Sequence, residues 1–119
     1  MKLQEIKQIY QKSIDSNLLP FIECDACGHK FFYPRARCPR CFSNKLQVKN
    51  SAGVGSVFSY TKFNTKSGES VIYAIIELAE GVRMYSNVFA QRIYVGLRVK
   101  AIFKELKGKR VVYFEEEGA

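Results

Sequence analysis

Apolar residues fall in three different rhythms along this chain. In residues 1–20 they recur at helical steps. Leu3, Ile6, Tyr10 and Ile14 share one face, with Ile9 on its flank. Asp15-Ser16-Asn17 interrupts the period and Pro20 closes it. A helix this short is marginal alone and needs a packing partner. Residues 21–50 show no such period. They hold all four cysteines, the only histidine and two of the three prolines, which leaves no room for a hydrophobic core of their own. A segment of that kind needs a staple.

Residues 51–119 read as β. The strand-like runs are Val54 to Phe63, Val71 to Leu78, Arg83 to Ala90, Leu97 to Leu106 and Arg110 to Glu115. Turn-forming stretches separate them: Asn64 to Gly68, Ala79-Glu80-Gly81, a segment around Gly96, and Lys107-Gly108-Lys109. In the fourth run Leu97, Val99, Ala101 and Phe103 share one face, while Arg98, Lys100 and Lys104 share the other. The second run is apolar nearly throughout, which predicts a strand covered on both sides. Five short strands close into a small barrel. The OB-fold is the leading five-stranded solution and an SH3-like barrel its main competitor. Glu115-Glu116-Glu117-Gly118-Ala119 reads as a solvated, fraying tail. The predicted class is mostly β, with an N-terminal helical segment (1–20), a cysteine-rich ribbon (21–50) and a barrel (51–119).

Length limits what this plan can do. The 119 residues suffice for one modest core, not for separate substrate and cofactor domains. The formal charge of +8 points to an anionic partner: nucleic acid, an anionic surface or a phosphorylated ligand. The longest apolar run, Val71 to Ile76, is far too short to span a bilayer, and the first residues carry no secretory pattern. The expected compartment is the cytoplasm, where thiols stay reduced and a disulfide framework is not expected.

The cysteines carry the clearest chemistry. Cys24-Asp25-Ala26-Cys27 and Cys38-Pro39-Arg40-Cys41 are two CxxC pairs with ten residues between them. A two-residue gap lets one tight turn present both sulfurs to one ion, and two such knuckles complete a tetrahedron. Gly28 follows the first knuckle where the chain reverses, and Pro39 pre-sets the backbone at the second. Zinc is the default occupant; iron in a rubredoxin-type centre takes the same ligands. Four protein ligands leave no position for water, so the metal is expected to be structural. His29 reads as a solvated residue on the ribbon rather than a ligand.

Catalytic signatures are missing from the rest. With the cysteines committed to metal, no thiol nucleophile remains, and there is no GxSxG elbow. Ser51-Ala52-Gly53-Val54-Gly55 lacks the Lys-Ser or Lys-Thr of a phosphate loop, and its glycines are expected to bend the first barrel strand. Glu77 and Glu80 straddle a hairpin turn and read as structural or solvated. The stretch Phe31-Phe32-Tyr33-Pro34-Arg35-Ala36-Arg37 is different. Its aromatics are expected to cover the knuckle and pack the ribbon on the barrel. Arg35 and Arg37 stand between solvation and contact with a phosphate or a partner.

An ordered set of motifs now spans nearly the whole chain. After the helix come Cys24 to Gly28, Phe32-Tyr33-Pro34-Arg35, Cys38 to Cys41 and Ser51 to Gly55. Ser59-Tyr60-Thr61, Glu77 to Arg83, and Gly96-Leu97-Arg98-Val99 follow. This order closely resembles an acyl-CoA-associated family known as a domain of unknown function, whose members pair a rubredoxin-like zinc ribbon with an OB-fold. The resemblance implies a non-catalytic scaffold that bridges or stabilises thiolases, thiolase-like proteins or 3-hydroxy-3-methylglutaryl-CoA synthase. It also implies that CoA or acyl-CoA lies close by, with Arg35 and Arg37 as candidate CoA or partner contacts. Holding a thiolase against the next enzyme would draw an uphill condensation forward. Tyr33 stands where proline is common in that family, a mild departure.

Two other readings share these residues. One is a single-stranded nucleic-acid-binding OB-fold with a structural zinc ribbon. The other is a rubredoxin-like electron carrier. A tetrathiolate zinc site carries a net charge of −2, so the formal excess falls to about +6 and no longer argues for nucleic acid by itself.

Overall fold

The computed structural model describes residues 2–117. Along the chain they form α1 (Leu3–Asp15), β1 (Leu19–Cys24), β2 (Lys30–Phe31), β3 (Leu46–Ser51), β4 (Val54–Asn64), β5 (Ser70–Leu78), β6 (Arg83–Phe89), β7 (Arg98–Leu106) and β8 (Lys109–Glu116). The class is mostly β, as expected: one N-terminal helix, a zinc ribbon with four cysteines, and a closed five-stranded barrel.

Helix α1 ends where its pattern breaks. Asn17 adopts φ 61°, the Leu18 N–H bonds to the Ser13 carbonyl at 2.9 Å, and the Asn17 N–H bonds to that of Ile14 at 3.0 Å. This pair of bonds around a left-handed residue satisfies carbonyls that the last turn would orphan. Pro20, expected to close the helix, instead lies in β1 opposite Asn50. It is tolerated because β2 meets β1 only at Ile22 and Glu23, beyond the proline.

Strand β1 is the spine of the ribbon, flanked by β2 and β3 in a three-stranded antiparallel sheet. Its side chains alternate between two cores. Leu19 and Phe21 enter the barrel core, while Ile22 and Cys24 join Ile6 and Tyr10 of α1 with Cys38 and Leu46. The expectation that 21–50 has no core of its own needs this correction. The segment takes part in two cores, because the helix covers one face and the barrel the other.

The barrel runs β4-β5-β6-β8-β7 and closes where β7 pairs with Val54 to Ser56 of β4. Three successive antiparallel strands followed by a return between the third and fourth is the Greek-key order of an OB-type barrel. Val57, Ile76, Val82, Val99 and Phe114 fill its interior. The two-residue turn between β7 and β8 places both Lys107 (φ 52°) and Gly108 (φ 81°) in the left-handed region, matching the twist of a tight hairpin.

Two further expectations change. Strand β5 is buried on one face only, through Ile72, Ala74, Ile76 and Leu78, and its outer Tyr73 is 45% exposed. The apolar run misled because aromatic and branched residues also serve a solvated outer face. The acidic tail is likewise ordered as far as Glu117. Glu115 and Glu116 belong to β8, Glu115 pairs with Lys100 at 3.5 Å, and the Glu117 N–H bonds to the Arg98 carbonyl at 2.9 Å. Opposing charge on β7 holds these residues on the strand. Gly118 and Ala119 lie outside the described residues.

Candidate metal centre

The two knuckles are built alike. The Cys24 N–H bonds to the His29 carbonyl at 2.9 Å, and the Gly28 N–H returns to the Cys24 carbonyl at 2.8 Å. In the second knuckle the Cys38 N–H bonds to the Ser43 carbonyl at 2.9 Å, and the Phe42 N–H returns to the Cys38 carbonyl at 2.9 Å. Each turn needs a left-handed residue just after its second cysteine. Gly28 supplies it at φ 78°, while Phe42 adopts φ 64° despite its side chain. A bond of 2.8 Å from the Asp25 N–H to the Lys45 carbonyl joins the two turns.

This backbone gathers four sulfurs, all within 4.8 Å of one another. Cys24 Sγ lies 3.6 Å from Cys41 Sγ, and Cys27 Sγ lies 3.7 Å from Cys38 Sγ. Sulfurs around a tetrahedral zinc at the usual bond length would stand about 3.8 Å apart. The donor set therefore fits one thiolate-loving ion. Cys24 and Cys38 are buried, while Cys27 and Cys41 face outward. The centre thus sits at the ribbon's tip with its inner half in the helix-covered core.

The thiols are unequal. Burial opposes ionisation of Cys38, but the N–H groups of Cys41 and Arg40 and the neighbouring sulfurs outweigh it, bringing this thiol down to about 7. The N–H group of Ser43 favours the Cys41 thiolate, yet burial and the three surrounding sulfurs push that thiol up to about 12. One sulfur thus carries charge readily, while crowding resists charge on its neighbour. A dication relieves that conflict.

His29 is not part of the sulfur cluster. It stacks on Phe31 with ring centroids 5.7 Å apart. The two arginines part company. Arg37 Nη1 donates to the Phe42 carbonyl at 3.1 Å and so lies on the second knuckle. Arg35 instead lines a cleft of about 290 Å³ between ribbon and barrel, with Lys30, Tyr33 and Arg83. Glu77 pairs loosely with Arg83 at 3.9 Å. The Glu80 carboxylate accepts the Ser51 hydroxyl at 2.6 Å and the Ala52 N–H at 3.0 Å. Burial works against that charge, but these bonds hold the carboxyl below its usual range. Both acids have structural partners. Gly53 (φ 79°) lies in the turn before β4, and a Cβ on Gly55 would stand 2.4 Å from the Glu77 carbonyl oxygen, so close strand approach requires Gly55. The strand itself bends later, at a bulge between Val57 and Ser59.

Aromatic rings join the parts. Tyr10 Oη donates to the Phe32 carbonyl at 2.5 Å, and the two rings lie 5.8 Å apart. Phe32 meets Tyr33 edge-on at 5.1 Å, Tyr33 meets Tyr85 at 6.3 Å, and Tyr85 stacks on Tyr73 at 5.9 Å. This chain passes from helix to ribbon to barrel. Sequence reasoning placed Phe32 and Tyr33 in it but missed Tyr73 and Tyr85, whose alternation on outer strand faces looks like ordinary β patterning. Phe42 was also missed. Its signal was its place one residue after a CxxC pair, where Gly28 stands in the other knuckle.

Comparison with known proteins matches this geometry. Residues 19–47 fit the family model of the rubredoxin-like zinc ribbon domain of ChsH2. A DUF35 domain-containing scaffold protein of Methanocaldococcus jannaschii is 27% identical over 95 residues, covering 72% of this chain and 67% of that protein. The chain is similar to proteins of the DUF35 type. The family resemblance read from its motifs is borne out. Among solved structures, the DUF35-type fold recurs in an Ltp2-ChsH2(DUF35) aldolase, with a TM-score of 0.78 and 24% identity over 92% of this chain and 93% of that one. It recurs too in a DUF35-family protein of unknown function from Sulfolobus solfataricus, with a TM-score of 0.68, 20% identity, and coverage of 92% and 84%.

Proposed function

We propose that this protein is a non-catalytic accessory subunit that holds an acyl-CoA enzyme, with a structural zinc on Cys24, Cys27, Cys38 and Cys41. The observation that carries the reading is the ribbon's charge. Residues 30–50 contain Lys30, Arg35, Arg37, Arg40, Lys45 and Lys49 and no carboxylate. At their tip Phe42 is 70% exposed, beside Arg37. An exposed aromatic on a basic segment, with a guanidinium bonded to its backbone, is the composition of an interface anchor.

The M. jannaschii relative is named a scaffold protein, and the solved aldolase carries a DUF35 component with this fold. Both support an accessory role beside a partner enzyme. The partner class is a thiolase, a thiolase-like protein or 3-hydroxy-3-methylglutaryl-CoA synthase, acting in the cytoplasm. Among the described residues no helix is long and apolar enough to cross a membrane. Arg37, next to Phe42, would contact the partner, and Arg35, in the cleft, would contact CoA or the partner. The metal's work is mechanical. It locks both knuckles so that Phe42 and Arg37 keep one geometry, and four thiolates leave it no open position for substrate.

Purification from the native source with identification of bound proteins tests this. A thiolase or synthase retained in stoichiometric amount is expected. A chain that elutes alone overturns the proposal.

A further inference from the structure

Strand β4 outruns its neighbour on one side. It pairs with β5 as far as Asn64, but with β7 only from Val54 to Ser56. The last bonds along that edge come from the loop after β6. The Val57 N–H donates to the Leu97 carbonyl at 2.9 Å, and the Gly96 N–H donates to the Val57 carbonyl at 2.8 Å. Beyond them, no strand among the described residues flanks Phe58 to Asn64 on the side away from β5. A stretch of about 24 Å thus presents outward N–H and C=O groups with no ladder partner. The edge is also apolar. Phe58, Tyr60 and Phe63 are exposed along it, and Tyr94 and Val95 are exposed in the loop that makes its last bonds. Between Phe58 and Asn64 there is no proline, and Lys62 is the one charge.

We propose that this free edge of β4 accepts an acidic, extended segment of a partner protein as an added strand. Main-chain bonds would hold such a segment, and its side chains would set the choice of partner. Charge selects the occupant. Residues 54–68 and 90–97, which are β4 with its turn and the loop beside it, hold Lys62, Lys66 and Arg92 and no carboxylate. All three cations are exposed, and none has an ion pair among the described residues. A carboxylate opposite Lys62 forms a favourable cross-strand pair, whereas a second copy of this chain would set one basic edge against another. A nucleic-acid strand also fits worse. Its phosphates accept from N–H groups but cannot donate to the carbonyls between them, and a peptide backbone does both. The proposal goes beyond the ribbon-tip contact and does not depend on it.

Selection of a random nine-residue peptide library against the metal-loaded full chain tests it, followed by amide exchange of the chain with the best-enriched peptide. Enriched sequences are expected to carry Asp or Glu at alternate positions among β-branched and aromatic residues. The bound peptide should slow exchange of amides between Phe58 and Asn64 by at least about tenfold. Methylating alternate backbone nitrogens of the peptide should weaken binding by about tenfold or more in one register and little in the other, which contact through side chains alone would not produce. Lys62→Glu should weaken the peptide by about tenfold and Lys62→Gln by less, while Lys7→Glu, the same charge change on α1, should leave it unchanged. Metal content and circular dichroism check that each variant is folded. Absence of enrichment, enrichment of basic or uncharged peptides, or protection confined to other strands overturns the proposal. So do equal effects of methylation in both registers. Self-association of the free chain that slows the same amides overturns it in favour of a second copy. A short oligodeoxyadenylate that slows them more than the peptide does overturns it in favour of a nucleic-acid strand.

Discussion

The phenol oxygen of Tyr33 accepts the backbone N–H of Tyr85 at 2.9 Å. This bond joins ribbon to barrel at a sheet edge. Strand β8 pairs with β6 only at Val88 and Phe89, so the neighbouring stretch of β6 has no strand on that side. Tyr33→Phe should lower stability by about 1 kcal/mol by leaving that donor unpaired. Tyr33→Ala should cost more, because it also breaks the ring chain. Urea unfolding measures both, and equal stability of all three proteins would contradict the role.

Phe42 holds a left-handed backbone that glycine adopts freely. Phe42→Gly should therefore leave the metal-loaded protein as stable as before or stabilise it by about 0.5–1 kcal/mol. Phe42→Val should destabilise it, since a branched side chain suits that conformation less. If Phe42 is also a partner anchor, the glycine variant will keep its fold while losing partner affinity.

Cys38→Ser should release the metal and loosen α1 together with the ribbon, because Cys38 shares a core with Ile6, Tyr10, Ile22 and Leu46. Metal analysis with proton exchange across 3–51 checks this. Retained metal with unchanged protection of α1 would refute a structural centre.

Gly55→Ala should cost about 2 kcal/mol or more, because its Cβ would meet the Glu77 carbonyl at 2.4 Å where β4 and β5 approach. A thermal melt detects the loss, and an unshifted midpoint would contradict it.

Glu80 clasps Ser51 and Ala52, tying the hairpin after β5 to the end of β3. Its carboxyl is lowered in the folded protein, so the clasp's stability is present above the ordinary pKa of 4.5 and lost as pH falls through the folded value. Glu80→Gln should destabilise the protein at neutral pH, and the difference from wild type should shrink below the usual carboxylate range. A difference independent of pH would show that ionisation of Glu80 contributes nothing.

The legible parts were those written in local spacing. Two CxxC pairs announced four convergent sulfurs, because each knuckle is a turn of a few residues whose geometry does not depend on the rest of the chain. Turn residues from Gly68 to Gly108 bounded the barrel strands to within a residue or so. Strand β1 was obscured because Pro20 reads as a helix stop, and only the tertiary fold shows why Leu19 to Ile22 is apolar on both faces. The Tyr33–Tyr85 bond joins positions 52 residues apart, and nothing in either neighbourhood specifies the other. The division of Arg35 from Arg37 has the same origin. Only two positions apart, they diverge because the chain turns between cleft and knuckle.

On the proposed function, the metal-organised ribbon tip holds a partner enzyme. The most direct measurement is quantitative co-purification from the native source of the wild-type chain and of a variant carrying Arg37→Glu and Phe42→Ala. Wild type is expected to retain an identified thiolase or 3-hydroxy-3-methylglutaryl-CoA synthase in stoichiometric amount, and the variant, with metal intact, to lose it. A wild-type chain that elutes alone, or an enzyme held equally by both chains, would contradict it.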